Sequence, residues 1–180
     1  DSSVIGFSHT HLSGTGIGDL FDITVLPVTG PVTDCSRESI ADKTERSTEI
    51  CTPGYYKAHL EKSGVTVELT ATQRVGLHKY IFEEKSEGNA LIIDLENGGC
   101  WDTVTQDTLT TDGRSRIEGF RFSKGWADNQ KIWFSGEFSV PFESCTQIAP
   151  HHWKISFPAS KEVLLKLSVS PASCDGARNN

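Results

Sequence analysis

The sequence predicts an all-β chain folded as one antiparallel β-sandwich. Three observations carry that prediction. Roughly ten short runs are rich in β-branched and aromatic residues, or alternate apolar with polar. Clusters of Gly, Asn, Asp, Ser and Pro separate these runs at short intervals. No segment sustains the 3.6-residue apolar period of an amphipathic helix. Without helices to cover a parallel sheet, such strands bury their apolar faces as two packed antiparallel sheets.

Val4 to His9 alternates weakly and makes the first strand, and Asp22-Ile23-Thr24-Val25-Leu26 the second. Pro31 to Glu49 is polar and charged throughout and reads as a long exposed loop, with a helical turn near Glu38 to Lys43. Tyr55 to Leu60 and Val65 to Thr70 flank Lys62-Ser63-Gly64 as a hairpin, and Arg74 to Phe82 follows. Leu91-Ile92-Ile93-Asp94-Leu95 is a strongly apolar strand. Thr103 to Thr111 alternates, Thr111-Asp112-Gly113-Arg114 is the clearest turn, and Ile117 to Phe122 returns from it. Lys131 to Phe138 sets Ile132, Phe134, Gly136 and Phe138 on one face. Trp153 to Phe157 and Val163 to Val169 complete the set.

The chain has 180 residues, enough for one domain with a core, and nothing in it reads as a repeat or linker. A net charge of −7 without a clustered Lys/Arg face argues against a nucleic-acid partner. No apolar run approaches the roughly 20 residues of a membrane-spanning helix. Five cysteines are many for a reducing compartment, and no C-x-x-C pair suggests structural zinc. Cys35 and Cys51 flank one polar loop; a disulfide closing it and two free thiols are both open readings.

The densest chemistry lies at Gly6-Phe7-Ser8-His9-Thr10-His11-Leu12-Ser13-Gly14-Thr15-Gly16-Ile17-Gly18-Asp19. On a strand, His9 and His11 share a face by the two-residue period. Three roles are open for His9, His11 and Asp19: contact with sugar hydroxyls or a domain interface, hydrogen bonds that hold the glycine loop, or metal ligation. No metal site is assigned. A second candidate is Trp126, Asp128 and Gln130 in Gly125-Trp126-Ala127-Asp128-Asn129-Gln130, where an indole would stack on a sugar face and the polar groups would bind its hydroxyls. The competing reading is a turn whose tryptophan plugs the sandwich end. Trp101, Trp133 and Trp153 read as packing residues, His151 and His152 as surface residues, and His78 as a core residue. Glu68, Gln73 and Arg74 read as cross-strand partners. Asp94 and Glu96, like Glu61, Glu83, Glu84 and Glu87, read as solvated charges.

These segments resemble the N-terminal domain of glycoside hydrolase family 92. Gly6 to Gly16, Gly18-Asp19 and Leu26-Pro27-Val28-Thr29-Gly30 carry the first part of the resemblance. Pro53-Gly54-Tyr55-Tyr56, Val67 to His78, Gly125 to Gln130, Glu137 to Phe142, and the tail Ser170-Pro171-Ala172-Ser173 with Ala177 to Asn180 continue it in the family's order. The resemblance implies the same sandwich, incomplete at its N-terminal edge, with further strands before Asp1 and a catalytic α-helical barrel after Asn180.

It further implies a calcium-dependent, inverting exo-α-mannosidase acting on α-mannoside glycans in the bacterial periplasm, at the cell surface or outside the cell. The catalytic carboxylates and calcium ligands would belong to the barrel. No catalytic residue is therefore expected in this chain, which alone would be inactive and would bind no calcium. Its expected role is to pack on the barrel and shape the active site. The alternative, from the residues themselves, is an independent lectin-like carbohydrate-binding module, supported by Trp126, Asp128, Gln130 and the 31–49 loop.

Overall fold

A computed structural model describes residues 3–11, 20–83, 87–96 and 101–180. In chain order the strands are β1 (Ser3–Val4), β2 (Phe7–Ser8), β3 (Thr24–Val28), β4 (Asp42–Lys43), β5 (Ile50–Thr52), β6 (Tyr55–Leu60), β7 (Val65–Ala71) and β8 (Val75–Phe82). They continue as β9 (Ala90–Asp94), β10 (Thr103–Asp112), β11 (Arg116–Lys124), β12 (Gln130–Phe138), β13 (Ser144–Ala149), β14 (His152–Ser156) and β15 (Glu162–Ser170). The helices α1 (Arg37–Ile40) and α2 (Cys174–Arg178) are short.

The strands form an antiparallel sandwich, as the alternation predicts. The large sheet runs β10-β11-β12-β15-β8-β7-β6-β5 and the small sheet β13-β14-β9-β3-β2; β1 and β4 pair separately. Inward residues such as Val67, Tyr80, Phe134, Leu165 and Ile93 form the core between the sheets. The hairpin at Gly113 (φ +67°) joins β10 to β11, a left-handed position at which glycine carries no Cβ penalty. Pro27, which can donate no ladder bond, lies on β3 where β2 pairs only with Thr24 and Val25.

The 31–49 segment is not simply an exposed loop. It carries α1 and β4, and with Val32 and Ile40 it covers Leu26, Val28, Ala90 and Ile92 on the outer face of the small sheet. That cover explains why Leu91-Ile92-Ile93 is a continuous apolar run: β9 is buried on both faces. Strand β13 was not expected, because Ser-Cys-Thr-Gln-Ile-Ala is polar and sits at a sheet edge. Helix α2 was not expected either. Its five residues are too few for a helical period, and it rests on the Ser173 hydroxyl, which accepts from the Gly176 amide at 2.9 Å.

Candidate functional site

The segment Leu20–Ile23, just ahead of β3, holds three of the four non-glycine residues with positive φ among the described residues, His151 being the fourth. Leu20, Phe21 and Ile23 have φ of 72°, 58° and 54°. Non-glycine residues there cost of order 1–3 kcal/mol each, most for a β-branched side chain, and persist only where the surroundings over-determine them. Two buried polar networks do so here.

The first is centred on Arg121 of β11, whose side chain is 1% exposed. Its Nε donates to Leu95 O (2.8 Å), one terminal nitrogen to Asp22 Oδ1 (2.5 Å) and Asp102 Oδ2 (2.8 Å), and the other to Glu96 O (2.6 Å) and Asp102 Oδ1 (3.0 Å). All five guanidinium protons are thereby used. The second Asp22 oxygen accepts from Thr10 Oγ1 (2.9 Å) and from Gln130 Nε2 (2.8 Å). Burial pushes the Asp22 carboxyl above its ordinary range, and Arg121 and Thr10 pull it back.

The second network joins His9 to the large sheet. His9 Nδ1 lies 2.9 Å from Ile23 O, His9 Nε2 lies 2.7 Å from His78 Nε2, and His78 Nδ1 lies 2.6 Å from the Tyr80 hydroxyl. The imidazoles lie with centroids 4.6 Å apart and planes 16° apart. Burial lowers the His9 pKa to about 4 and that of His78 well below its usual value, so both rings are neutral at pH 7. Gly76 permits the approach: a Cβ there would stand 2.9 Å from His9 Cδ2.

His9, half-buried, also lines an open cleft of about 360 Å³ between β2 and the ends of β5 to β8. It is lined by Tyr55 at the start of β6, by Gln73 and Arg74 in the turn between β7 and β8, and by apolar residues that include Leu69, Val75 and Val169. No acidic side chain among the described residues lines it. The arrangement can offer a guanidinium, an amide and an aromatic face to a polar ligand or to packed protein, and it supplies no carboxyl proton.

The structure separates the residues that the sequence grouped. His9 and His11 do not share a strand face, because β2 ends at Ser8. His9 turns inward, while His11 is exposed, bridges to Leu20 and meets the Phe21 ring edge-on at 4.6 Å. Asp19 lies outside the described residues. Trp126 is 69% exposed, so it does not plug the sandwich; Asp128 is exposed and faces Lys124 at 3.7 Å, and Gln130 turns inward to Asp22.

Several further expectations are corrected. Trp101 is 55% exposed rather than packed. His152 is buried, with Nε2 3.5 Å from a mostly buried Asp94, so neither is a solvated surface group. Gln73 and Arg74 lie in the turn between β7 and β8, whereas Glu68 does face Lys57 across strands, at 3.9 Å. Of the two readings left open for Cys35 and Cys51, the structure has the free thiols. Cys35 is half-buried and feels the charge of Asp94 of the small sheet, whereas Cys51 sits on the edge strand of the large one. Arg121, Asp102 and Thr10 were missed. Their partners lie up to 99 residues away, and only a charged residue in the two-residue register of Ile117 hinted at Arg121.

Among the described residues, no group of three or more His, Cys, Asp or Glu converges as metal ligands. Asp22 and Asp102 are engaged by Arg121, so this donor set does not fit calcium, and no step through calcium is assigned to it. No helix among them is long and apolar enough to cross a membrane.

A family model described as the glycosyl hydrolase family 92 N-terminal domain matches residues 1–167. Among solved structures, a family GH92 α-mannosidase from Bacteroides thetaiotaomicron, in complex with mannoimidazole, superposes with a TM-score of 0.85 at 28% identity. The match covers 99% of this chain and 27% of that one. A GH92 family glycosyl hydrolase, ccman5, matches at 0.82 and 21% identity over 99% and 27% of the two chains. An inverting GH92 mannosidase from B. thetaiotaomicron matches at 0.79 and 22% identity over 100% and 26%. The last two show likeness of fold. The chain spans about a quarter of the length of these structures. No curated protein matches the sequence.

Proposed function

The chain belongs to the glycosyl hydrolase family 92 N-terminal domain family, and we propose that it is the non-catalytic β-sandwich domain of an exo-α-mannosidase. In this reading it packs on a catalytic α-helical barrel elsewhere in the same polypeptide, and its strained turn and His11 help to shape the substrate end. The whole enzyme would hydrolyse α-mannoside glycans with inversion, in a calcium-dependent reaction whose ligands and carboxylates lie outside this chain. It would act in the bacterial periplasm, at the cell surface or outside the cell.

One observation carries the reading on the side of this domain. Glycoside hydrolysis needs a carboxylic acid to protonate the leaving group and a second carboxylate to activate water or attack. The buried pair Asp22 and Asp102 is bound by Arg121, and the cleft beside His9 has no acidic lining among the described residues. In this reading the residues of this chain support and position, and the proton for the glycosidic oxygen comes from outside it.

A second reading, an independent carbohydrate-binding module, is favoured by exposed Trp126 and Trp101, which flank the close contact of Gly125 with Asp102. The test compares the full-length gene product with this chain on α-mannosides, with and without a chelator. In parallel, this chain and its Trp126→Ala variant are titrated with α-mannosides. Turnover by the full-length protein alone, with no millimolar binding by this chain, is the expected result. Turnover by this chain refutes the proposal, and millimolar binding lost in Trp126→Ala favours the module.

A further inference from the structure

We infer that Tyr80 and His78 are positioning residues: a one-way chain of hydrogen bonds starting at the Tyr80 hydroxyl holds the His9 ring and, through it, the strained Leu20–Ile23 turn against which His11 lies.

The direction of the chain follows from its ends. The Ile23 carbonyl can only accept, so the His9 Nδ1 at 2.9 Å holds the proton. A neutral His9 then has a bare Nε2. His78 Nε2, at 2.7 Å, must be the donor. A neutral His78 in turn has a bare Nδ1, so the Tyr80 hydroxyl, at 2.6 Å, donates to it. Tyr80 is fully buried, and no water competes for that proton. Each of the three groups spends its one proton, and each imidazole is satisfied at both nitrogens. The reverse order would aim a bare nitrogen at the Ile23 carbonyl.

The chain ends on the strained turn and nowhere else. Ile23 has φ 54°, and the preceding Asp22 is gripped by Arg121. The turn is thus held to β8 through its Ile23 carbonyl and to β11 through its Asp22 carboxylate. Its opposite end carries Leu20, bridged to His11, and Phe21, whose amide donates to Thr10 O at 2.9 Å and whose ring meets His11. His11 is therefore placed by groups it does not touch. A tyrosine that merely fills the core would need only its ring.

Tyr80→Phe removes the proton and keeps the ring. The wild-type protein is first examined by imidazole ¹⁵N NMR, which needs no variant. It should show His9 in the Nδ1–H form and His78 in the Nε2–H form. In Tyr80→Phe, the Phe21 and Asp22 amides should exchange with solvent roughly two- to tenfold faster, the loss of about one hydrogen bond, while amides of β14 and β10 do not change. His9 in the Nε2–H form, unchanged exchange at the turn, or an equal rise throughout the chain overturns the inference. A third arm rests on the mannosidase reading. In the full-length enzyme Tyr80→Phe should raise KM for an aryl α-mannoside at least about threefold with kcat nearly kept. An unchanged KM overturns the positioning role. Absence of turnover in the wild type overturns the mannosidase reading instead, and the NMR arms then decide the inference.

Discussion

Replacing Arg121 by Met tests whether the buried charge network holds the domain together. The guanidinium donates to two carboxylates and two backbone carbonyls, all buried except at Glu96. Methionine fills much of the volume but donates nothing. Asp102 loses the guanidinium from both oxygens, while Asp22 keeps Thr10 and Gln130. Breaking a buried pair from one side costs about 3–5 kcal/mol, because a charge is stranded. Two orphaned carbonyls add about 1 kcal/mol more after water penetrates. The sum, about 4–6 kcal/mol, is a large part of the 5–15 kcal/mol typical of a whole domain. Urea unfolding of this chain, followed by tryptophan fluorescence, reads it directly. With a slope of about 2 kcal/mol/M, the midpoint should fall by about 2–3 M. Adding Asp22→Asn and Asp102→Asn to the methionine variant removes the stranded charges and should restore at least half of the loss. A loss under about 1 kcal/mol, or no recovery in the triple variant, would refute the argument.

Acid should weaken the fold through His9. Its folded pKa of about 4 lies below the unfolded value of 6.5, so the unfolded chain binds the extra proton between these limits. Stability is full above pH 6.5 and falls as pH drops toward 4, by up to about 3 kcal/mol, with His78 acting in the same direction. The stability gap between wild type and His9→Gln, from urea unfolding at pH 7.5 and 4.5, should narrow accordingly; a constant gap would count against this. Gly76→Ala should cost about 1–3 kcal/mol, or roughly 2–10 °C in Tm by calorimetry, because its Cβ enters the His9 ring; an unchanged Tm would show that the rings part freely. Ser173→Ala should cost about 1 kcal/mol by the loss of the α2 cap, read as a midpoint shift in urea. In the full-length enzyme, His11→Ala should lower kcat/KM for an aryl α-mannoside more than about tenfold, chiefly through KM, with Tm unchanged; wild-type kinetics would remove His11 from the substrate end.

Local pattern was enough for most strands and for the fold class. Alternation in Lys131 to Phe138, the apolar run at Leu91, and the Asp112-Gly113 turn each report a backbone period that neighbours alone impose. The site was legible only in part. The glycine-flanked His9 and His11 marked the right segment, but their period-two pairing failed where β2 stops at Ser8.

What the sequence by itself determined is therefore the strand inventory, the sandwich and the segment on which polar chemistry gathers. Which face turns inward was decided in three dimensions. In β11 the aromatic face of Phe120 and Phe122 invites burial, yet Ile117 and Arg121 point to the core, while Phe122 stacks on Phe120 and meets Trp133 on the other side. An arginine can occupy a core only when carboxylates and carbonyls arrive from the turn ahead of β3, from just past β9 and from just ahead of β10 to use all its protons. Those partners are distant in sequence, and no local period encodes their meeting. The same holds for His9, whose ring is linked through His78 to a tyrosine that lies 71 positions further along and two steps away through space.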